Sequence, residues 1–166
     1  MSWTLQEGTE VGQMPQVGDQ APAFKSPGLD NPAITLAQYS GQPVVLFFYP
    51  KDSTPGCTTE ACDFRDNMSR VQAAGAVVLG VSRDSLKRHE NFRKKNSLPF
   101  DLLSDESGEV TEAYGVWQEK KNYGKTYMGI VRSTFLIDSS GQIAACWSPV
   151  RVKGHVDAVM DALESL

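Results

Sequence analysis

Cysteine is scarce, with three in 166 residues. That is too few, and an odd number, for a disulfide scaffold. Histidine is scarcer still: His89 and His155 lie far apart in sequence and lack metal-ligand spacing, so no metal centre is expected. No block of basic residues stands out and the net charge is −4, which argues against a nucleic-acid partner. No apolar run approaches the length of a membrane span. A P-loop, a dinucleotide-binding glycine fingerprint, internal repeats and low-complexity tracts are all missing. The opening MSWTLQEGTE has neither the basic start nor the apolar stretch of a secretory signal. The expected location is therefore the cytoplasm, where a cysteine pair is more often catalytic than structural. What remains is an ordinary globular composition, 40% hydrophobic and 22% charged, of one-domain length. Residues 1–16, with Gly8, Gly12 and Pro15 and no periodicity, read as a loosely ordered extension. Residues 17–166 read as the domain.

The stretch from Val44 to Ala74 organises the rest. Val44–Tyr49 is an apolar run rich in β-branched and aromatic residues, as expected of a strand covered on both faces. Pro50 ends it, because proline cannot donate to a sheet ladder. Asp52, Ser53, Thr54, Pro55 and Gly56 are turn formers. Then Cys57, Ala61, Phe64, Met68 and Val71 fall on one helical stripe, with Glu60, Asp63, Arg65, Asp66 and Asn67 off it. Gly75 marks the helix end. Cys57 thus sits in the first turn of a helix, at the carboxyl end of a buried strand, where open α/β sheets place their sites. The free N–H groups and partial positive charge of a helix start favour a thiolate over a thiol.

Cys62 follows five residues later. In an ideal helix that separation places the Cα atoms about 8–9 Å apart, beyond the ~7 Å limit for a disulfide. The two thiols can join only if the first turns unwind.

Elsewhere, Ala23–Ser26 and Ala33–Leu36 read as short strands around a SPGLDNP turn, with a helical turn over Leu36–Tyr39. Ala76–Val81 is a second apolar strand. Ser85 caps a helix to about Lys95, with Leu86, His89 and Phe92 inward. Leu102–Leu103 is a short strand, and Ser104 or Asp105 caps a helix ending at Gly115. Val116–Lys121 reads as a strand or sheet edge, with 118–125 a charged exposed loop. Val131–Ile137 is a strong strand, and the turn at Ser139–Ser140–Gly141 pairs it with Gln142–Trp147. A last helix begins near Gly154, with Val156, Val159, Met160 and Leu163 on one face and His155 capping or packing at its start. The order is that of an α/β fold.

The residues Pro50, Thr54 and Cys57 form P-x3-T-x2-C, which resembles the peroxidatic motif of peroxiredoxins. The longer PGCTTEACDFRD, with its second cysteine, resembles the peroxiredoxin Q (bacterioferritin comigratory protein) subfamily. The likeness extends through GVSRDS, LPFDLLSD and IVRSTFLID, from about Val17 to the end. It implies a thioredoxin-like fold: a central mixed β-sheet flanked by helices and preceded by an N-terminal β-hairpin. It also implies a thiol-dependent peroxidase acting on hydrogen peroxide and organic hydroperoxides. In that scheme Cys57 is the peroxidatic thiol, leaving a sulfenic acid, and Cys62 the resolving thiol. Thr54 and Arg132 touch thiolate and peroxide, Pro50 shields the pocket, Glu60 orients Arg132, and Gly56 lines the peroxide site. No cofactor or metal is needed, thioredoxin or glutaredoxin serves as reductant, and the chain works as a monomer or weak dimer. Cys146, between Ala145 and Trp147, reads as structural.

Two other classes share some of these features. A protein-disulfide oxidoreductase would use C-x2-C, whereas four residues separate these cysteines. A redox sensor would share the chemistry but need not turn over.

Overall fold

The structure, a computed structural model, describes residues 13–166. The expected extension therefore lies, for residues 1–12, outside the described residues. Residues 13–16 pack on the domain: Pro15 is buried and Met14 rests on one of the two cores. The chain at Gln13–Met14 passes over Gly115, where a Cβ would meet the Met14 nitrogen at 2.4 Å and where φ is +68°. Only glycine suits both conditions.

A five-stranded mixed sheet forms the centre. Its strands are β3 (Val44–Phe48), β4 (Val77–Ser82), β5 (Asp101–Ser104), β8 (Ser133–Ile137) and β9 (Ile143–Trp147), in the order β5-β4-β3-β8-β9. β3 runs parallel to β4 and antiparallel to β8. Every residue of β3 is buried, as the apolar run requires of a strand covered on both faces. Its alternation feeds two cores. Val45, Phe47 and Tyr49 join α1 (Pro55–Asp66), α3 (Leu86–Asn96) and α5 (His155–Glu164) on one face. Val44, Leu46 and Phe48 join Phe135, Tyr114 and the N-terminal hairpin of β1 (Lys25–Ser26) and β2 (Ile34–Thr35) on the other. The hairpin, the helical turn at Leu36–Tyr39, the Ser85 cap and the β8–β9 pairing stand as the sequence predicts.

Four elements differ from expectation. The helix expected to run to Ala74 is two: α1 ends at Asp66, and α2 (Met68–Ala73) begins after Asn67. Asn67 has left the helical well, with φ −110° and ψ 12°, and its side-chain amide donates to the Asp63 carbonyl at 2.8 Å. Asparagine's habit of bonding to nearby backbone is the cause. The apolar stripe survives the break, since Phe64 and Val71 stay buried in one core. The helix expected to be capped by Ser104 or Asp105 is short, α4 (Glu109–Ala113). Asp105 reaches it from a distance, accepting from the Val110 and Thr111 amides at 3.0 and 2.8 Å. The expected charged loop over 118–125 is a β-ribbon of β6 (Trp117–Asn122) and β7 (Lys125–Ile130). It turns at Tyr123–Gly124, both with positive φ, the geometry that lets a two-residue turn follow strand twist. Finally, β8 starts at Ser133, so Arg132 lies just ahead of it.

Candidate active site

Thr54 takes the N-cap position of α1, and Pro55 and Gly56 fill the first two helical positions, leaving Cys57 third. Proline is suited to a helix start, where its missing N–H costs nothing. The Cys57 side of the helix faces the sheet, and the residue is 1% exposed. Arg132 arrives from the turn before β8, and its Nη2 donates to Cys57 Sγ at 3.3 Å. Its backbone carbonyl accepts from the Val150 amide at 2.9 Å, which fixes the approach. Gly56 lets the guanidinium lie this close, because a Cβ there would sit 3.2 Å from Arg132 Nη2.

The other half of the guanidinium is engaged by Glu60. Arg132 Nη1 donates to Glu60 Oε1 at 2.7 Å, and the carboxylate is fully buried. Here the structure corrects the sequence reading, in which Glu60 lies off the inward stripe. A carboxylate enters this core because a permanent cation meets it there. Burial pushes the Glu60 carboxyl up to about 7, although Arg132 pulls the other way. Its second oxygen, Oε2, has no hydrogen-bond partner. It faces His155 Nε2 at 3.9 Å, and that nitrogen lies 2.8 Å from Thr134 Oγ1. Burial, with Arg132 nearby, lowers His155 to about 4, so its ring is neutral near neutral pH.

The structure thus brings together Cys57, Arg132, Glu60 and Gly56, while Pro50 lies exposed two residues past the end of β3. Thr54 is adjacent, but its hydroxyl donates to the Lys51 carbonyl at 2.8 Å rather than bonding to sulfur. That bond uses its proton and leaves lone pairs free to accept. Cys62 is half-buried on the same helix, with Sγ 3.8 Å from Asn96 Oδ1. All three cysteines are free thiols, and α1 is intact across both Cys57 and Cys62.

Sequence reasoning missed His155 as a neighbour of Glu60, Thr134 as the partner of His155, and Lys120 as a charge near Arg132 and Cys57. Burial and the charge on Arg132 hold Lys120 below its usual range, while Cys57 opposes the shift. The alternation of side chains offers one usable signal: Thr134 follows Arg132 by two, so both point to the same face. The reach of His155 depends on where α5 begins in space, which spacing does not carry.

A second buried cluster flanks the Cys57 loop. Asp52 Oδ1 accepts from the Tyr49 hydroxyl at 2.5 Å, and Oδ2 lies 2.6 Å from His89 Nδ1. His89 Nε2 lies 2.8 Å from the Leu103 carbonyl and so carries the proton between them. Burial and the adjacent Asp52 raise the Tyr49 hydroxyl well above its ordinary range, keeping it a donor. Asp84 joins through its Oδ2, which accepts from the Asp52 amide at 2.8 Å and the Ser82 hydroxyl at 2.6 Å. Asp52, Asp84 and His89 are near enough to share a cation, yet each is already engaged by protein groups.

Comparison with known proteins accounts for this geometry. Residues 17–146 match the AhpC/TSA family. The chain is 47% identical to the Bacillus subtilis peroxiredoxin Bcp over 151 residues, 91% of this chain and 96% of that one. It is 51% identical to a Coxiella burnetii peroxiredoxin bcp over 148 residues, covering 89% and 98%. The solved structure of Xanthomonas campestris bacterioferritin comigratory protein, studied for alkyl peroxide reduction, superposes with a TM-score of 0.82 at 44% identity, covering 86% and 90%. A Xylella fastidiosa peroxiredoxin Q mutant gives 0.86 at 37% identity, covering 92% and 97%. With a thioredoxin-like sheet, a cysteine in the first turn of its central helix and an arginine donating to that sulfur, the chain belongs to the AhpC/TSA family, among the Bcp and Q-type peroxiredoxins, which are thiol-dependent peroxidases.

Proposed function

We propose that Cys57 is the peroxidatic thiol and Cys62 the resolving thiol of an intramolecular peroxidase cycle. The observation that carries this reading is the Arg132 guanidinium, held by Glu60 on one side and donating to Cys57 Sγ at 3.3 Å on the other. A fixed cation beside the sulfur favours the thiolate and offers donors to a peroxide oxygen. The Cys57 thiolate attacks one peroxide oxygen. An S–O bond forms, the O–O bond breaks, and the departing alkoxide or hydroxide takes from solvent the proton released when the thiol ionised, leaving as alcohol or water. Cys57 is then a sulfenic acid. Thr54, with its proton committed to Lys51, accepts the hydrogen of the incoming hydroperoxide. Gly56 borders the same space, and Pro50 keeps water from the sulfur.

Resolution requires α1 to unwind, because five helical residues place the Cα atoms of the two cysteines about 8–9 Å apart, beyond the reach of a disulfide. The Cys62 thiol then displaces hydroxide from the Cys57 sulfenic acid, giving a disulfide and water. An external dithiol supplies the two electrons that reopen it; thioredoxin or glutaredoxin has the required chemistry. Both cysteines lie on one chain, so a monomer suffices. A reducing compartment such as the cytoplasm suits free thiols, and among the described residues no helix is long and apolar enough to cross a membrane.

The test is peptide mapping after one equivalent of hydrogen peroxide is added to the reduced protein. A Cys57–Cys62 link with Cys146 still free is the expected product. Unchanged thiols would refute the proposal, and a Cys57 sulfenic acid beside a reduced Cys62 would reassign the resolving thiol to another molecule.

A further inference from the structure

Half of the Glu60 carboxylate is unexplained by its partnership with Arg132. Oε1 is bonded, while Oε2 is buried and unpartnered, 3.9 Å from His155 Nε2. Buried polar atoms without partners are uncommon, and each calls for a reason. His155 is itself buried, at the first residue of α5, with its ring edge-on to Phe64 and Trp147 at 6.4 and 5.7 Å between centroids. Its Nε2 is tied to Thr134 Oγ1 at 2.8 Å, and Thr134 is fully buried. A helix start, a strand and a stack of rings therefore converge on one imidazole whose Nε2 edge, bonded to Thr134, faces Glu60 Oε2.

We propose that His155 and Thr134 are positioning residues: they form the polar wall that holds Glu60 in place, and through Glu60 they set the Arg132 guanidinium on Cys57. The proposal rests on the reading of Cys57 as the peroxidatic thiol. A neutral imidazole suits the task better than a second cation, which would compete with Arg132 for the carboxylate. With its proton on Nε2 and donated to Thr134 Oγ1, the ring turns a positive edge toward Glu60 without carrying a charge of its own. The charged and titratable groups around Glu60 are Asp63 on α1, Arg132 ahead of β8 and His155 on α5; Lys120 on the ribbon acts on Arg132 and Cys57.

The test uses His155→Phe, which keeps the ring, Thr134→Val, which keeps the shape, and His155→Gln, which restores a polar atom near the Nε2 position. Two rates are measured from pH 5.5 to 8.5: oxidation of Cys57 by hydrogen peroxide, followed by tryptophan fluorescence, and alkylation of Cys57 by iodoacetamide in a Cys62→Ser, Cys146→Ser background. His155→Phe is expected to slow peroxide oxidation about tenfold, as loss of alignment does, and to displace the limb of the pH profile near neutrality. Thr134→Val should act in the same direction with smaller effect, and His155→Gln should recover most of the rate. An unchanged rate and profile in folded His155→Phe would overturn the proposal, as would equal losses in His155→Phe and His155→Gln with an unmoved profile, which mark plain packing. If His155→Phe fails to fold, Thr134→Val decides by the same criteria. Alkylation separates this inference from the peroxidase reading, because it reports Arg132 placement even in a protein that peroxide does not oxidise.

Discussion

Two buried ionic clusters flank Cys57, and they are built on opposite plans. On one side Asp52, Tyr49 and His89 close on themselves: both carboxylate oxygens and both ring nitrogens are engaged, the last by the Leu103 carbonyl. On the other side Glu60 keeps an unused oxygen, and Arg132 divides its guanidinium between a carboxylate and a sulfur. In the closed network every polar atom already has a protein partner. It can only hold the loop between β3 and α1 in position. An open network retains bonding capacity in a dry place, where an added hydrogen bond is worth most. The difference separates scaffold from chemistry without appeal to motif.

Breaking the open cluster should cost rate. Arg132→Met is expected to slow peroxide oxidation of Cys57 by about 10²–10³-fold, the usual toll of removing a preorganised donor, and, because it strips a buried carboxylate of its cation, to lower stability as well; stopped-flow fluorescence and calorimetry read the two. Breaking the closed cluster should cost stability alone. His89→Leu leaves Asp52 short of a partner in the core and should remove about 3–5 kcal/mol in urea denaturation, while the Cys57 rate in the remaining folded protein stays within about threefold.

The clusters should also differ in pH response. Glu60 is raised from 4.5 to about 7 in the folded chain, so folding favours its protonated form. Its contribution is fully present below pH 4.5 and is lost as the pH rises to about 7, a change of up to about 3 kcal/mol. Urea curves from pH 5 to 8 should show this decline in wild type and a flatter course in Glu60→Gln; parallel curves would mean that Glu60 is not the linked group. The smallest effect is expected at Cys62. Cys62→Ser should leave the first oxidation within about twofold of wild type, since its side chain lies outside the Arg132 contacts, yet mass spectrometry should find Cys57 driven on to sulfinic acid. A matching loss of the first-step rate would show that the two thiols are not independent.

Much of the frame was legible in the chain. β3 and β4 announce themselves through uninterrupted apolar runs, because burial on both faces leaves no alternation to interpret. The position of Cys57 follows from a strand end, a cluster of turn formers and a helical stripe. β6 was half legible, since Val116–Lys121 reads as a strand or edge, but the ribbon's turn and β7 were not: water covers most of both faces, so no hydrophobic period is imposed on Gln118–Tyr127. The burial of Glu60 was not legible, because a helical stripe counts apolar residues and has no place for a carboxylate whose partner comes from 72 positions away; its pairing with Arg132 was implied by the resemblance alone. His155 lies further along still, and its relation to Glu60 exists only once α5 has docked. Pairings of this kind depend on tertiary packing, which local spacing does not encode.

The interruption at Asn67 bears on how far a disturbance in α1 can travel. Helices melt cooperatively, turn by turn, until something halts the ladder. Here the ladder is already cut between Asp66 and Met68, and the Asn67 side chain is bonded back to Asp63. Loosening the turns that carry Cys57 and Cys62 need not draw on the segment that keeps Val71 in the core. The break acts as a firebreak: if α1 unwinds as proposed, it sets the size of the unit that moves, so that α1 can open while the rest stays folded.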